Sequence, residues 1–119
     1  MILTCKFGAC DAEVVQSKGA SHRHSVATLV NACASRGFHR FILKSDQEPS
    51  IMALVEAARA ELTQKGFDVI LENSPSRDSQ SNGLVEDAVR RVKGLVRTIR
   101  YATEQLHGVT LRADHVCLP

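Results

Sequence analysis

Residues 38–71 read FHRFILKSDQEPSIMALVEAARAELTQKGFDVIL, and this stretch decides the predicted fold class. The apolar triplet Phe41-Ile42-Leu43 is typical of a strand that is buried on both faces. Pro49 suits the first turn of the helix that follows, and Gly66 ends that helix. The apolar face of the helix is formed, at helical spacing, by Ile51, Leu54, Val55, Ala58 and Leu62. Because Phe67–Leu71 is again strand-like, the stretch predicts a strand–helix–strand unit.

The chain before this unit is predicted to supply a hairpin and a helix. Two short apolar runs, Ile2–Phe7 and Cys10–Val15, read as paired strands with a turn around Gly8. A helix follows with Ser21 as its N-cap, and it ends at Gly37. Strands and helices therefore alternate along the chain, which is the pattern of an α/β layered domain.

The chain after the unit is predicted to supply a polar loop and a long helix. Residues 72–83 contain no apolar side chain, whereas a helical pattern runs from Leu84 to Leu106. Its apolar stripe is expected to face the core and consists of Val85, Val89, Val92, Val96, Ile99 and Leu106. Since the sequence shows neither an internal repeat nor a linker, we predict a single domain over residues 1–119.

The composition excludes several classes of protein. The chain has 119 residues, of which 44% are hydrophobic and 24% charged, values of a globular and not of a disordered protein. No apolar run approaches the roughly 20 residues that span a bilayer, and the first residues lack a basic signal-peptide lead. The four cysteines form no CxxC pair and have no zinc-site spacing. We therefore expect an intracellular protein with reduced thiols and no membrane partner.

The net charge of +2 conceals a segregation of charge along the chain. Residues 46–80 hold three Lys or Arg against seven Asp or Glu, whereas residues 81–119 hold six against four. The basic excess is greatest at Arg90, Arg91, Lys93, Arg97 and Arg100. Such a row is compatible with phosphate binding, and the alternative is a solvated helix face.

Two carboxylates are candidates for metal binding. Asp46 follows a predicted strand, and open α/β sheets bind ligands at the carboxyl ends of their strands. Its oxygen suits Mg²⁺, although Asp46 could instead cap the helix that begins at Pro49. Glu86 lies in the first turn of the long helix, where the helix dipole alone would favour a carboxylate.

One face of the long helix combines an acid with a row of cations. Glu86 is followed at intervals of three or four residues by Arg90, Lys93, Arg97 and Arg100, so all five share a face. An acid at the head of a phosphate-binding row is explained if a metal ion offsets its charge. Two carboxylates could then hold Mg²⁺ at a scissile phosphate while the cations follow the nucleic-acid backbone.

Three segments carry a resemblance to a known family. The segment Ser79-Gln80-Ser81-Asn82-Gly83-Leu84-Val85-Glu86 resembles the loop-to-helix signature of retroviral and retrotransposon integrase catalytic cores, in which a Gln-x-Asn-Gly motif precedes the last acid of an Asp-Asp-Glu triad. The segment Leu43–Glu48 is similar to the strand that ends in the family's second catalytic Asp. The segment Asp11–Val15 resembles the family's third strand. The resemblance covers most of the chain in the expected order.

The resemblance implies a fold, a chemistry and a set of site residues. The fold is an α/β, ribonuclease-H-like mixed sheet flanked by helices, and the activity is a metal-dependent phosphoryl transfer that serves DNA integration. Asp46 and Glu86 would be the catalytic residues and the ligands of Mg²⁺ or Mn²⁺. The nucleic-acid-binding residues would be Gln80, Asn82, Arg90, Lys93 and Arg97. The implied partners are DNA and further copies of the chain, and the implied location is the nucleus.

Departures from the family pattern limit the expected activity. The family's first catalytic Asp lies on a strand before the hairpin, and no strand precedes the hairpin here; Asp11 lies on the wrong strand to replace it. The family also continues into a further helix beyond the end of this sequence. We therefore expect a core that is incomplete at both ends, with low or no strand-transfer activity.

Two other functions remain open from the sequence. The first is a non-catalytic nucleic-acid-binding remnant of a retroelement polyprotein, which would use only the row from Arg90 to Arg100. The second is an unrelated small α/β interaction domain whose motif matches arise by chance. Function is inherited from sites and not from folds. Binding of divalent metal would separate the integrase type from the remnant, and Asp46 and Glu86 lying far apart in the fold would favour the unrelated domain.

Overall fold

The architecture alternates short strands with three helices, as the sequence predicts. The structure is a computed structural model that describes residues 1–5, 9–74 and 83–112. In chain order the elements are β1 (Ile2–Thr4), β2 (Cys10–Ala12), α1 (Arg23–Ala34), β3 (Arg40–Ser45), α2 (Pro49–Gln64), β4 (Asp68–Asn73) and α3 (Gly83–His107). The α/β class is confirmed. The hairpin strands are shorter than predicted, and residues 6–8 of their turn lie outside the described ranges.

The strands of the described ranges form two separate sheets. β1 and β2 pair antiparallel, with Leu3 opposite Asp11. β3 and β4 pair in parallel, with Ile42 opposite Ile70. The single mixed sheet implied by the integrase resemblance is therefore replaced, among these strands, by an antiparallel pair and a parallel pair.

α2 is the crossover that connects the two parallel strands, and its ends are defined by the sequence. Pro49 occupies its first turn, where the missing amide hydrogen costs nothing. Gly66 follows its carboxyl end at a φ of 91°, a left-handed conformation that side chains rarely adopt. The amide of Gly66 donates to the carbonyl of Thr63, and the amide of Phe67 donates to that of Leu62. These two bonds form a Schellman motif, which turns the chain back into β4.

The hydrophobic core lies between α1, α2 and the inner face of the β3–β4 sheet. Ala58 and Leu62 of α2 are completely buried at its centre. Leu43 and Val69 supply the inner face of the sheet. The other buried members are Val26, Leu29, Val30, Cys33, Leu54 and Val55. Full burial of one such aliphatic side chain contributes about 1.5–3 kcal/mol, so this cluster holds the fold together.

The prediction that β3 is buried on both faces is wrong. Ile42 is 58% exposed, and its partner Ile70 is also exposed. Both α1 and α2 contribute to the cluster that covers the Leu43 side, so neither helix is left for the Ile42 side. The isoleucine pair is flanked on this outer face by the ion pairs Arg40–Asp68 at 3.1 Å and Lys44–Glu72 at 3.8 Å.

The prediction that the apolar stripe of α3 faces the core is also wrong for most of its length. Ala88 is the one buried residue of α3, whereas Val85 and Ile99 are exposed and Leu106 is 81% exposed. α3 packs mainly against β1. A strand of three residues spans about 10 Å and a helix of 25 residues about 37 Å, so β1 cannot cover the helix. Across the described ranges, no helix combines the length and apolarity needed to cross a membrane.

The core assignment predicts unequal effects of two leucine truncations. Leu62→Ala should lower the free energy of unfolding by about 2–5 kcal/mol, because it leaves a cavity at a fully buried site. Leu106→Ala should change it by less than about 0.5 kcal/mol, because that side chain is largely exposed. Urea denaturation at low micromolar protein measures both values, and equal losses would contradict this core.

Candidate nucleic-acid interface

The polar face of α3 presents an acid and three cations to solvent. Glu86, Arg90, Lys93 and Arg97 recur at intervals of three or four residues and are all exposed. None of the four side chains forms a hydrogen bond or an ion pair with any other residue of the described ranges. We name Arg90, Lys93 and Arg97 the basic face of α3. Because these charges are not neutralised within the described chain, they are available to an anionic partner.

Two other cations of the predicted row are engaged within the helix. Arg91 Nε lies 3.1 Å from a carboxylate oxygen of Asp87, one turn earlier. Arg100 Nε donates to Glu104 Oε1 at 3.1 Å, one turn later, and the same guanidinium donates to the carbonyl of Leu111. Both pairs have i, i+4 spacing, a signal that could have been found in the sequence. The row predicted from Arg90 to Arg100 is therefore reduced to the three cations of the basic face.

Glu104 joins the end of α3 to the segment that follows it. Its Oε1 accepts a hydrogen bond from the amide of Leu111 at 2.8 Å and one from Arg100. The Leu111 amide is the larger cause, and Arg100 the second, of a pKa below the ordinary 4.5 of a glutamate carboxyl. Leu111 itself is buried. Arg100 and Glu104 thus have a structural role at this end of the helix.

Asp46 lies at the carboxyl end of β3, as the sequence predicts, and its side chain is exposed. Its Oδ1 accepts the amide hydrogen of Gln47 at 2.7 Å. The alternative that Asp46 caps α2 is wrong, because the N-cap position is occupied by Glu48. Glu48 is held by Lys18 and Ser50, whose hydroxyl donates to its carboxylate at 2.9 Å.

The described carboxylates do not assemble the metal centre that the integrase resemblance implies. In residues 1–5, 9–74 and 83–112, no three His, Cys, Asp or Glu side chains are grouped to hold a metal ion. Asp46 follows β3, whereas Glu86 lies on a helix that packs mainly against β1. Asp11 has another partner, since it accepts a hydrogen bond from Arg36 at 2.5 Å and so links the hairpin to the segment just after α1. Two exposed carboxylates alone do not fit a two-metal centre.

The described cysteines differ in their burial. Cys5 and Cys10 are half-buried in the hairpin, and Cys33 is buried in the core as a free thiol. Burial raises the pKa of the Cys33 thiol to about 11, so the thiol is protonated at neutral pH.

Two predicted site residues lie outside the described ranges. Gln80 and Asn82, assigned to nucleic-acid binding, belong to residues 75–82, which lie between the described ranges. Cys117 lies in residues 113–119, which are also outside. The placement of Gln80 and Asn82 therefore stays a prediction.

The contacts of Glu104 predict how its carboxyl titrates. Its midpoint in a carbon-detected NMR titration should lie below 4.5, so the Glu104 contribution to stability is present above pH 4.5 and is lost as the pH falls through the lowered pKa. Arg100→Ala should raise the midpoint only in part, because the Leu111 amide remains. Arg91→Ala should leave it unchanged. A full return to 4.5 in Arg100→Ala would contradict the leading role of Leu111.

Comparison with known proteins identifies no relative of this chain. No protein-family model, no curated protein and no solved structure matches it significantly. The resemblance to integrase cores therefore rests on the motif residues alone and stays a prediction. What the structure adds is an α/β arrangement in which an exposed cationic helix face is available to a partner.

Proposed function

We propose that this chain is a nucleic-acid-binding domain of the integrase catalytic-core type, which binds DNA through the basic face of α3. The observation that carries the proposal is the set of three exposed cations without partners in the described chain. DNA backbones attract such groups through their phosphates, and the release of counterions drives binding. Binding of this kind positions a backbone without reading its sequence.

The spacing of the cations supports a contact with an extended phosphate backbone. From Arg90 to Arg97 the helix advances seven residues, which is about 10 Å along its axis. The three side chains project from one face over that distance, with Lys93 between the two arginines. Arginine offers a planar fork for phosphate oxygens, and lysine a mobile point charge. Such a row suits several neighbouring phosphates better than a single small anion.

The integrase type of the proposal is supported by the placement of its motif residues on the described elements. Asp46 directly follows a strand of a parallel pair, at the edge where α/β domains bind ligands. α3 begins at Gly83, so Glu86 falls in its first turn and heads the basic face. In this proposal Asp46 and Glu86 are two of the acids of the triad. Because the described residues do not complete a metal centre, we derive no catalytic step and expect low or no DNA joining.

A non-catalytic nucleic-acid-binding function is the second candidate, as a remnant of a retroelement polyprotein. It is favoured by one observation, namely that the described ranges contain no group of three metal-binding side chains. Both candidates use the basic face, and they differ in whether divalent metal affects the protein. Mg²⁺ binding that Glu86→Gln removes favours the integrase type, whereas DNA binding that is indifferent to Mg²⁺ favours the remnant.

Salt dependence tests the role of the basic face. The logarithm of DNA affinity should fall linearly with the logarithm of salt concentration. Replacing Arg90, Lys93 and Arg97 together by Gln should reduce that slope by about 2.7, since each phosphate contact contributes about 0.9. Fluorescence anisotropy with a labelled duplex, measured at salt concentrations between about 50 and 200 mM, gives the slope.

A matched variant on the same helix provides the control. Arg91→Gln removes a cation that Asp87 already partly neutralises. The slope of log affinity against log salt should therefore change by much less than one third of the change expected for the triple variant. Circular dichroism checks that each variant keeps its helical content. A triple variant with the wild-type slope would contradict DNA binding by the basic face.

A DNA-joining assay tests the expected catalytic deficit. With Mg²⁺ or Mn²⁺, the wild-type chain and Glu86→Gln should both give joining at the background level, because the described acids do not complete a metal centre. Gel analysis of a labelled duplex and a target plasmid measures the products. Robust joining that Glu86→Gln abolishes would show that the centre is complete after all.

A further inference from the structure

The exposed apolar side of α3 follows a seven-residue repeat. The repeat positions are separated by intervals of three, four, three and four residues, and they are Val92, Leu95, Ile99, Ala102 and Leu106. We name these five residues the α3 seam. A straight helix has 3.6 residues per turn, so an apolar row with a period of 3.5 indicates supercoiling against another helix.

The α3 seam has no cover in the described structure. Leu95, Ile99 and Leu106 are all exposed large apolar side chains, and Ala102 is exposed beside them. Val92 is half-buried. Contiguous exposed apolar rows on a helix mark an interaction surface more often than scattered apolar residues do.

The residue types of the α3 seam fit a second copy of the same helix. Val92, Ile99 and Leu106 occupy one position of the repeat, and Leu95 and Ala102 occupy the other. The combination of β-branched Val92 and Ile99 with Leu95 favours two parallel strands. Alanine at position 102 permits close approach of two backbones. No seam position is charged, so two identical seams are complementary to one another, as a two-fold interface requires.

The distribution of charge also permits pairing of two copies. Arg90, Lys93 and Arg97 lie on the opposite side of the helix from the α3 seam, which keeps the repelling charges of two copies apart. Arg91, at the margin of the seam, is paired with Asp87 at 3.1 Å. Electrostatic repulsion across the seam is therefore small.

We propose that the α3 seam pairs in parallel and in register with the α3 seam of a second copy, so that the two basic faces point outward from the dimer. The contact extends over 15 residues, or about 22 Å of helix. This is short of the size of a permanent interface, so the dimer is weak and depends on concentration. Two copies bound to one DNA raise each other's effective concentration and pair more readily.

Sedimentation equilibrium over a wide range of protein concentrations, without DNA, tests the pairing. The wild-type chain should shift from monomer to dimer as the concentration rises. Ile99→Glu should weaken dimerisation at least about 100-fold, because it places two like charges in an apolar seam. Tyr101→Glu is the matched control, since Tyr101 is 65% and Ile99 63% exposed but Tyr101 lies off the seam; it should dimerise like the wild type.

Disulfide cross-linking tests the register of the pairing. Ala102→Cys should form a disulfide between two copies under mild oxidation, because residues at this repeat position face each other in a parallel pair. Tyr101→Cys should not form this bond, and peptide mapping distinguishes it from bonds of the native cysteines. Any of three results would overturn the proposal. The wild-type chain could stay monomeric at all concentrations, both glutamate variants could weaken dimerisation equally, or dimers of Ala102→Cys could form without the 102–102 disulfide. As no DNA is present, these results are independent of the proposed function.

Discussion

The fold depends on the burial of α2 between α1 and the β3–β4 sheet. Ala58 allows close approach and Leu62 fills the centre, and neither has any exposure to solvent. A pair of parallel strands has little stability by itself and needs a helix on its face. The Schellman motif at Gly66 and Phe67 turns the chain so that α2 covers the strand that follows it. The hairpin and α3 pack on the outside of this unit of α1, α2 and the β3–β4 sheet.

The hairpin and α3 are attached through a small number of contacts. The ion pair of Asp11 and Arg36 links the hairpin to the segment just after α1, and Leu3 of the hairpin packs on the core. α3 buries Ala88 and packs on the short strand β1. As a result, α3 keeps two separate surfaces exposed, a cationic one and an apolar one. A helix with both surfaces available can bind a polyanion on one side while a second helix pairs with the other.

The sequence predicts the elements better than their surroundings. Pro49 and Gly66 locate α2 within a residue or two, because helix ends are determined by local chemistry. The bounds of α3 also agree closely with the periodicity. Periodicity shows that a helix is amphipathic but not what covers its apolar side. For this reason the prediction that Ile99 and Leu106 belong to the core is wrong. The exposure of Ile42 was missed for a similar reason, since an apolar triplet does not reveal on which face of a sheet its helices lie.

The candidate site was predictable in part. The shared face of Glu86, Arg90, Lys93 and Arg97 follows from helical spacing and is found exposed. The ion pairs Arg91–Asp87 and Arg100–Glu104 also follow from their i, i+4 spacing. The prediction of a continuous basic row does not take these two pairs into account. Whether Asp46 and Glu86 converge depends on the packing of separate elements, which no local pattern determines. α3 packs mainly against β1, and this placement depends on contacts between residues that are far apart in the sequence.

Our main proposal is that the basic face of α3 binds DNA. An amide NMR titration of the isotopically labelled chain with a short duplex tests it most directly, because it reports every surface of the molecule at once. We expect the largest shifts at Arg90, Lys93 and Arg97 and no effect on the outer face of the β3–β4 sheet around Ile42. Shifts confined to that sheet face or to α1, with α3 unperturbed, would contradict it.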